Sequence, residues 1–558
     1  MSFARRHVTS AWAVVLAVLL LGPALAPGYV LTYDMVWVPQ LALRPDALGL
    51  GSALPRAVPS DALVAVLDQL VPGMLLQKIV LLGSLATAGA GGAALVPRLS
   101  LPVRCLVVSL FVWNPFVVER LVLGQWPVLV GYAVLPWLLV VGRRHRLEGR
   151  LPAALPGLLV LGSLSASAGI ASAFAVLAIG LSGRRRPDLT LLGVVLAANA
   201  PWVVAGLLHS SVATSDRAGA AAFALRAEGL LPAPLTALGL GGVWNSEVVP
   251  VTRDGPLAVV LLVVMLALTA LGVRLWWAGT VRRDAVALAL CWTAGWGLAV
   301  LSWAAPGVMA WLAGLPGGGV LRDGSRLLGL CVPLLAVLVG HGVQRLAALS
   351  HDRDLRRLVT GMLVLMPLAF MPDAAWGSFG RLRAVDYPAS YDVAREAVGD
   401  GAGADVLLLP FTSYRAPDWN GERKVLNPLG RYLRPDYVAS DELRVARVVI
   451  AGEDPAGDDV RAALLLDTPD ARARALAGLG IGTVVVDASA GEAPTVTGEE
   501  LVRAGDLTVL GLDRPRASDP PGSWSVAMGA AWAAWLGCLV LAAATALRRR
   551  ARERSAGA

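Results

Sequence analysis

Lysine is almost missing from this chain: only Lys78 and Lys424 occur, so arginine carries nearly all the positive charge. Charge of either sign is scarce, at 16% of 558 residues, where soluble domains average about a quarter. Cysteine is confined to Cys105, Cys291, Cys331 and Cys538, each inside an apolar run. That placement excludes a disulfide framework or thiolate metal site in the polar part of the chain. The same part has neither a P-loop nor a G-x-G-x-x-G fingerprint, so it offers no nucleotide site. The formal charge is +8, yet the arginines fall in short clusters between apolar runs. They read as determinants of membrane topology, not as a nucleic-acid-binding surface.

What is abundant is hydrophobicity, 56% of residues with a mean hydropathy of +0.64. A span needs roughly 20 apolar residues, and a charge at mid-membrane costs about 2.5–3.5 kcal/mol. These rules predict helices near 10–28, 73–96, 105–118, 126–142, 151–167, 169–182, 189–208, 256–277, 284–303, 327–344, 358–372 and 524–547. That is about twelve transmembrane helices, the fifth and sixth forming a tight pair around the small-residue turn "SASAG". The first is read as an uncleaved helix, although "ALA" at 24–26 resembles a cleavage site. Arginines cluster in alternate loops: Arg5 and Arg6, Arg98 and Arg104, "RRHRLEGR" (143–150), "GRRRPD" (183–188), Arg282 and Arg283, "HDRDLRR" (351–357) and "RRRARER" (548–554). The positive-inside rule then predicts a multi-pass plasma-membrane protein with both termini cytoplasmic. Arginine in place of lysine, with heavy Ala, Gly, Val and Leu usage, suggests a G+C-rich, bacterial genome.

Three outward segments are long: 29–72, 209–255 and 373–523. The expected organisation is a membrane domain over 1–372, an extracytoplasmic α/β domain over 373–523, and a last helix with a basic tail over 524–558. Within 373–523, "ADVLLLPF" (404–411), "ARVVIAG" (446–452), "IGTVVVDA" (481–488) and "LTVLGL" (507–512) have strand character. The stretches 391–400 and 468–480 read as helices, begun by Asp or Pro and ended by Gly.

The polar exceptions in so apolar a chain gather at outward helix ends. Asp34 follows the first helix in "YVLTYDMVWVP" (29–39), where a carboxylate can act as general base on a hydroxyl, or serve only as an interfacial turn acid. "SDALVAVLDQLVPG" (60–73) reads as an amphipathic helix along the membrane surface with Asp68 facing solvent. Lys78 is an intramembrane cation near a helix end, functional or snorkelling. Asn114-Pro115 breaks the third helix, and the following short interfacial helix carries Glu119 and Arg120, adjacent residues that pair with other groups before each other. Arg322 and Arg326, at i and i+4 around Asp323, could share a helix face and clamp a phosphate, or form salt bridges and lipid contacts.

At this point the order of parts resembles the GT-C-type membrane glycosyltransferases, in particular the YfhO-like branch and the N-terminal region of actinobacterial arabinofuranosyltransferases. The carrying residues are Asp34, then "NPFVVERLVLGQW" (114–126), then "VLRDGSRLL" (320–328). The last is similar to an R-x-P-x-R-F stretch, with Gly324 where proline is usual and Leu327 where an aromatic is usual. The outer domain adds "VLLLPFTSYRAPDW" (406–419), "NPLGRYLRPDYVASDEL" (427–443) and "AGLGIGTVVVD" (477–487). The resemblance implies transfer of a sugar, with inversion, from a polyprenyl-phosphate donor to an envelope glycan or lipid acceptor. It places Asp34 as the base and Arg322, Arg326 and Lys78 on the donor phosphate, with Glu119, Arg120 and Asp323 in support. No D-x-D pair stands in the first loop, so no metal ligand is assigned, and a divalent cation is left open as cofactor. Two rival readings are a lipid-linked glycan flippase and a non-catalytic envelope assembly protein. Against the flippase, inner helices such as 257–273 are apolar throughout and no internal repeat is seen.

Overall fold

The computed structural model describes residues 3–51, 54–210, 217–315, 317–349, 351–445, 448–450, 452–515 and 521–556. In chain order the principal helices are α1 (Phe3–Leu21), α2 (Ser60–Asp68), α3 (Gly73–Leu95), α4 (Leu101–Val112), α5 (Pro115–Val122) and α6 (Trp126–Glu148). They continue with α7 (Ala154–Gly162), α8 (Ala166–Gly180), α9 (Arg185–Leu208), α10 (Pro256–Gly279), α11 (Arg282–Ala304), α12 (Val332–Leu349) and α13 (Arg353–Phe370). Among the described residues nine helices are long and apolar enough to cross a membrane, or ten if the bent pair 353–370 and 372–380 is one span.

The shortfall from twelve has a local cause. The segments 151–167 and 169–182 form α7, of 9 residues, and α8, of 15 residues. At 1.5 Å per residue α7 is only about 14 Å long, about half of a hydrocarbon core. The chain turns back early because Ser165 caps α8, accepting from the Ala168 amide at 3.4 Å. Both ends of this hairpin lie together: the His145 ring contacts the carbonyls of Arg150 and Pro187, and Arg184 donates to that of Arg146. On this arginine-rich face Arg143 pairs with Asp284 at 2.6 Å, and Arg146 pairs with the same carboxylate.

The break at Asn114 is present. Its side chain accepts from Val117 N at 3.0 Å and donates to the Leu110 carbonyl at 2.9 Å, capping α5 while closing α4. All eight residues of α5 are buried, so this helix is internal and not interfacial as expected. The expectation for α2 also fails. Asp68 is buried and accepts from the Leu41 amide at 2.7 Å, and Asp61 pairs with Arg431 at 2.8 Å. Its acids satisfy the polypeptide around it, whereas Val66 is exposed. Helices α10 and α12 cross closely at Gly272 and Gly342, where an added Cβ would lie about 2 Å from the opposing backbone.

The polar C-terminal part carries a five-stranded sheet built from β1 (Asp405–Leu409), β2 (Tyr437–Val438), β3 (Ile481–Asp487), β4 (Glu499–Ala504) and β5 (Leu507–Gly511). The spatial order is β4-β5-β3-β1-β2, with β1 parallel to β2 and β3, and β5 antiparallel to β3 and β4. Helices α14 (Ala389–Val398), α15 (Pro455–Leu464) and α16 (Pro469–Gly478) flank it. Strand periodicity sorts the two faces. Leu407, Leu409, Ile481 and Val484 pack with Val460, Leu464 and Leu476, while Val406, Leu408 and Val485 join one continuous core with the membrane helices. The expected strand over 446–452 lies partly outside the described residues. Its described part, Val448–Ile450, pairs with Leu443–Val445 in a separate hairpin and not in the sheet. A final helix, α17 (Gly522–Ala556), returns to the membrane helices.

Candidate functional site

The segment after α1 is fixed first by its backbone. Tyr29–Val30 pairs with Ala384–Val385 of the C-terminal part, and Gln77 bonds both the amide and the carbonyl of Val30. Thr32 and Met35 close a turn whose second residue, Tyr33, has a φ of +40°, a strained conformation for a bulky residue. Tyr33 is clasped by residues 424–426: its amide donates to the Lys424 carbonyl and its carbonyl accepts from Leu426, each at 2.8 Å. The Asp34 amide donates to the Leu123 carbonyl at 3.0 Å. Gly124, at φ +77°, allows this approach, because a Cβ there would lie 2.2 Å from Met35 N.

So held, Asp34 presents a half-buried carboxylate at the seam between the membrane helices and the sheet domain. Its Oδ1 accepts from the Tyr414 hydroxyl at 2.5 Å and its Oδ2 from Gln125 Nε2 at 3.3 Å. No ion pair reaches it among the described residues. Burial, then the neighbouring Asp34 charge, pushes the Tyr414 phenol well above its ordinary value, so Tyr414 is held as a hydrogen-bond donor. From Gln125 the connection runs inward: its Oε1 accepts from Arg120 at 2.8 Å, and Arg120 reaches Asp323 at 3.2 Å and Ser325 Oγ at 2.5 Å. Ser325 in turn donates to Asp323, and Arg326 donates to the same carboxylate through Nε at 3.1 Å. Burial alone would raise the Asp323 carboxyl, but Arg120 and Arg326 more than offset it and leave it below the usual range.

Three of the expected residues, Arg120, Asp323 and Arg326, are thus joined to Asp34 in one hydrogen-bonded chain. Arg322 lies beside it without entering it. Two 3-10 helices, Gly318–Leu321 and Gly324–Cys331, flank a break at Arg322 and Asp323, so Arg322 and Arg326 do not form an i, i+4 pair on one α-helical face. Arg322 packs over Phe223 at 4.5 Å and forms an ion pair with Glu453 of the sheet domain. Glu119 lies against Glu228, which binds Arg253 at 2.7 Å. Lys78 stays apart: its Nζ is buried without a hydrogen-bond partner, and no described contact ties it to Asp34. Sequence reasoning missed Tyr414, Gln125 and Ser325, although all three stand in the stretches that carry the resemblance. It also missed Arg56, which reaches Asp441 at 2.6 Å and Glu453 at 3.5 Å. Among the described residues no three His, Cys, Asp or Glu side chains converge as a metal site would require.

A carboxylate oriented by two donors can accept a proton, and guanidiniums nearby can stabilise a departing anion. No protein-family profile matches the chain, and no curated protein sequence does. Its fold is similar to the cryo-EM structure of the arabinofuranosyltransferase AftD from Mycobacteria, with a TM-score of 0.56, 15% identity and coverage of 93% of this chain. The structure of the R1389S mutant of AftD, in its class 2, gives a TM-score of 0.55 at 16% identity over 92% of this chain. The chain spans only about two fifths of those proteins, 40% and 42% of their lengths.

Proposed function

We propose that this protein is a cell-envelope glycosyltransferase that moves a sugar from a polyprenyl-phosphate donor to a glycan or lipid acceptor outside the cytoplasm. The observation that carries this reading is the Asp34 carboxylate, held at the seam by Tyr414 and Gln125 and joined through Arg120 and Asp323 to Arg326. The fold shared with a membrane arabinofuranosyltransferase supports it. The arginine-rich loops on the opposite face support an orientation with both termini cytoplasmic and the sheet domain outside.

In the proposed reaction the acceptor hydroxyl oxygen attacks the anomeric carbon while Asp34 takes its proton. The bond from that carbon to the phosphate oxygen breaks, and its electron pair stays with the lipid phosphate, so the configuration inverts. Arg326, which engages Asp323 only through Nε, keeps its two terminal nitrogens for the departing oxyanion. Arg322 supplies a second guanidinium. Tyr414 and Gln125 orient the base, and neither they nor Arg120 exchange protons with substrate. Lys78 is assigned to the donor lipid by position alone.

The test is release of polyprenyl phosphate from labelled polyprenyl-phosphate sugars, with crude envelope acceptor, by purified protein in nanodiscs. Asp34→Asn should lower turnover by about 10²–10⁴-fold, the usual contribution of a general base, while its melting temperature holds. Absence of turnover in wild type across several sugars would favour transport or assembly instead.

A further inference from the structure

We infer that Arg56 and Arg322 form one anion site for a phosphate ester, and that Glu453 occupies it in the resting protein until the ligand displaces it. The ligand class rests on the transferase reading above; the occupancy and its displacement do not. Glu453 lies on the sheet domain, whereas Arg56 comes from the first long loop and Arg322 from the segment before α12. One carboxylate oxygen of Glu453 binds Arg322 and the other faces Arg56 at 3.5 Å. Two oxygens of one anion divided between two guanidiniums is also how a phosphate would sit.

Asp441 holds the backbone beside this site. The Asp441 carboxylate accepts from the Glu453 amide at 2.7 Å, the Asp454 amide at 3.1 Å and Arg56 at 2.6 Å, which pins the backbone of the strap. The Leu54 amide donates to Asp454 at 3.3 Å and ties the first loop to the same strap. The Glu453 backbone is held through Asp441, while its carboxylate sits on the two guanidiniums that an incoming anion would take. Arg56, half exposed, can follow an incoming anion. Arg322 cannot, because it is stacked on Phe223. A phosphate headgroup entering here meets Arg322 as the fixed partner and Arg56 as the mobile one.

Binding of farnesyl phosphate to the full chain in detergent, measured by calorimetry without acceptor, tests this. Glu453→Gln should tighten binding about tenfold, a size typical of one charge-assisted hydrogen bond. Arg56→Gln should weaken it by a similar factor, and the double variant should return near wild type. Farnesol should not bind. Inorganic phosphate following the same variant order at farnesyl phosphate affinity would identify free phosphate, not a lipid headgroup, as the ligand. Unchanged or weaker binding of farnesyl phosphate by folded Glu453→Gln overturns the inference. If that variant does not fold, unchanged affinity in Arg56→Gln overturns it equally. Loss of the transfer reaction with this binding order intact would sink the transferase reading and leave the anion site standing.

Discussion

Two acids in this protein each sit between two arginines, and their surroundings differ. Asp284, on the arginine-rich face, is held by Arg143 and Arg146, and among the described residues Arg146 donates onward only to the Ile179 carbonyl. Asp323, on the sheet-domain side, is held by Arg120 and Arg326, but that cluster continues through Gln125 to Asp34, a carboxylate with no guanidinium on it among the described residues. Residue types are the same. What separates the two clusters is unused capacity at the end of one of them.

The comparison can be broken most forcefully at the buried arginines. Asp323 is 1% exposed and Asp284 11%, so only the second can rehydrate when a partner is lost. Arg120→Met should cost about 3–5 kcal/mol, the usual penalty for removing one partner of a buried ion pair, and Arg146→Met clearly less. Equal losses in thermal unfolding would erase the distinction.

Acid sharpens it. The folded Asp323 carboxyl lies below its unfolded value of about 3.9, so its contribution is complete above that pH and is lost as the pH falls through the lowered folded value. Unfolding followed from pH 5 downward should therefore be flatter in Asp323→Asn than in wild type. A parallel decline in both would show that Asp323 contributes nothing to acid sensitivity.

A smaller effect concerns the end of the chain. Tyr414→Phe should lower kcat about tenfold, about 1.4 kcal/mol, with KM for the donor unchanged. Arg143→Gln on the other face should leave both as they are. The smallest effect is expected at Glu247, whose exposed pair with Lys424 at 2.8 Å also receives the Tyr33 hydroxyl. Glu247→Gln should change stability by no more than about 1 kcal/mol, as exposed pairs do, and a larger change in melting temperature would assign that bridge a role in holding the Tyr33 turn.

The membrane class, the helix break at Asn114 and the strands 405–409, 481–487 and 507–511 are legible in the sequence, because apolar period and turn residues act locally. So is the placing of Asp34 beyond the first helix. The partners of these residues are not. Tyr414 lies 380 positions from Asp34, and Arg120 lies 203 from Asp323, separations over which no period or spacing carries information. The burial of α2 and α5 was hidden for a related reason. An amphipathic helix looks the same in sequence whether its polar edge meets water or a domain folded back upon it. Ion pairs such as Asp61 with Arg431 decide the matter only once the sheet domain is in place.

The short hairpin of α7 and α8 has a consequence for how such a chain can vary. It leaves and rejoins the same face, where His145 touches both Arg150 and Pro187. Lengthening both arms into complete crossings, or trimming both away, would leave the direction of every later helix unchanged, since an even number of passes is added or removed. The chain can thus gain or lose bulk at that point without reversing the side on which Asp34 and the sheet domain meet.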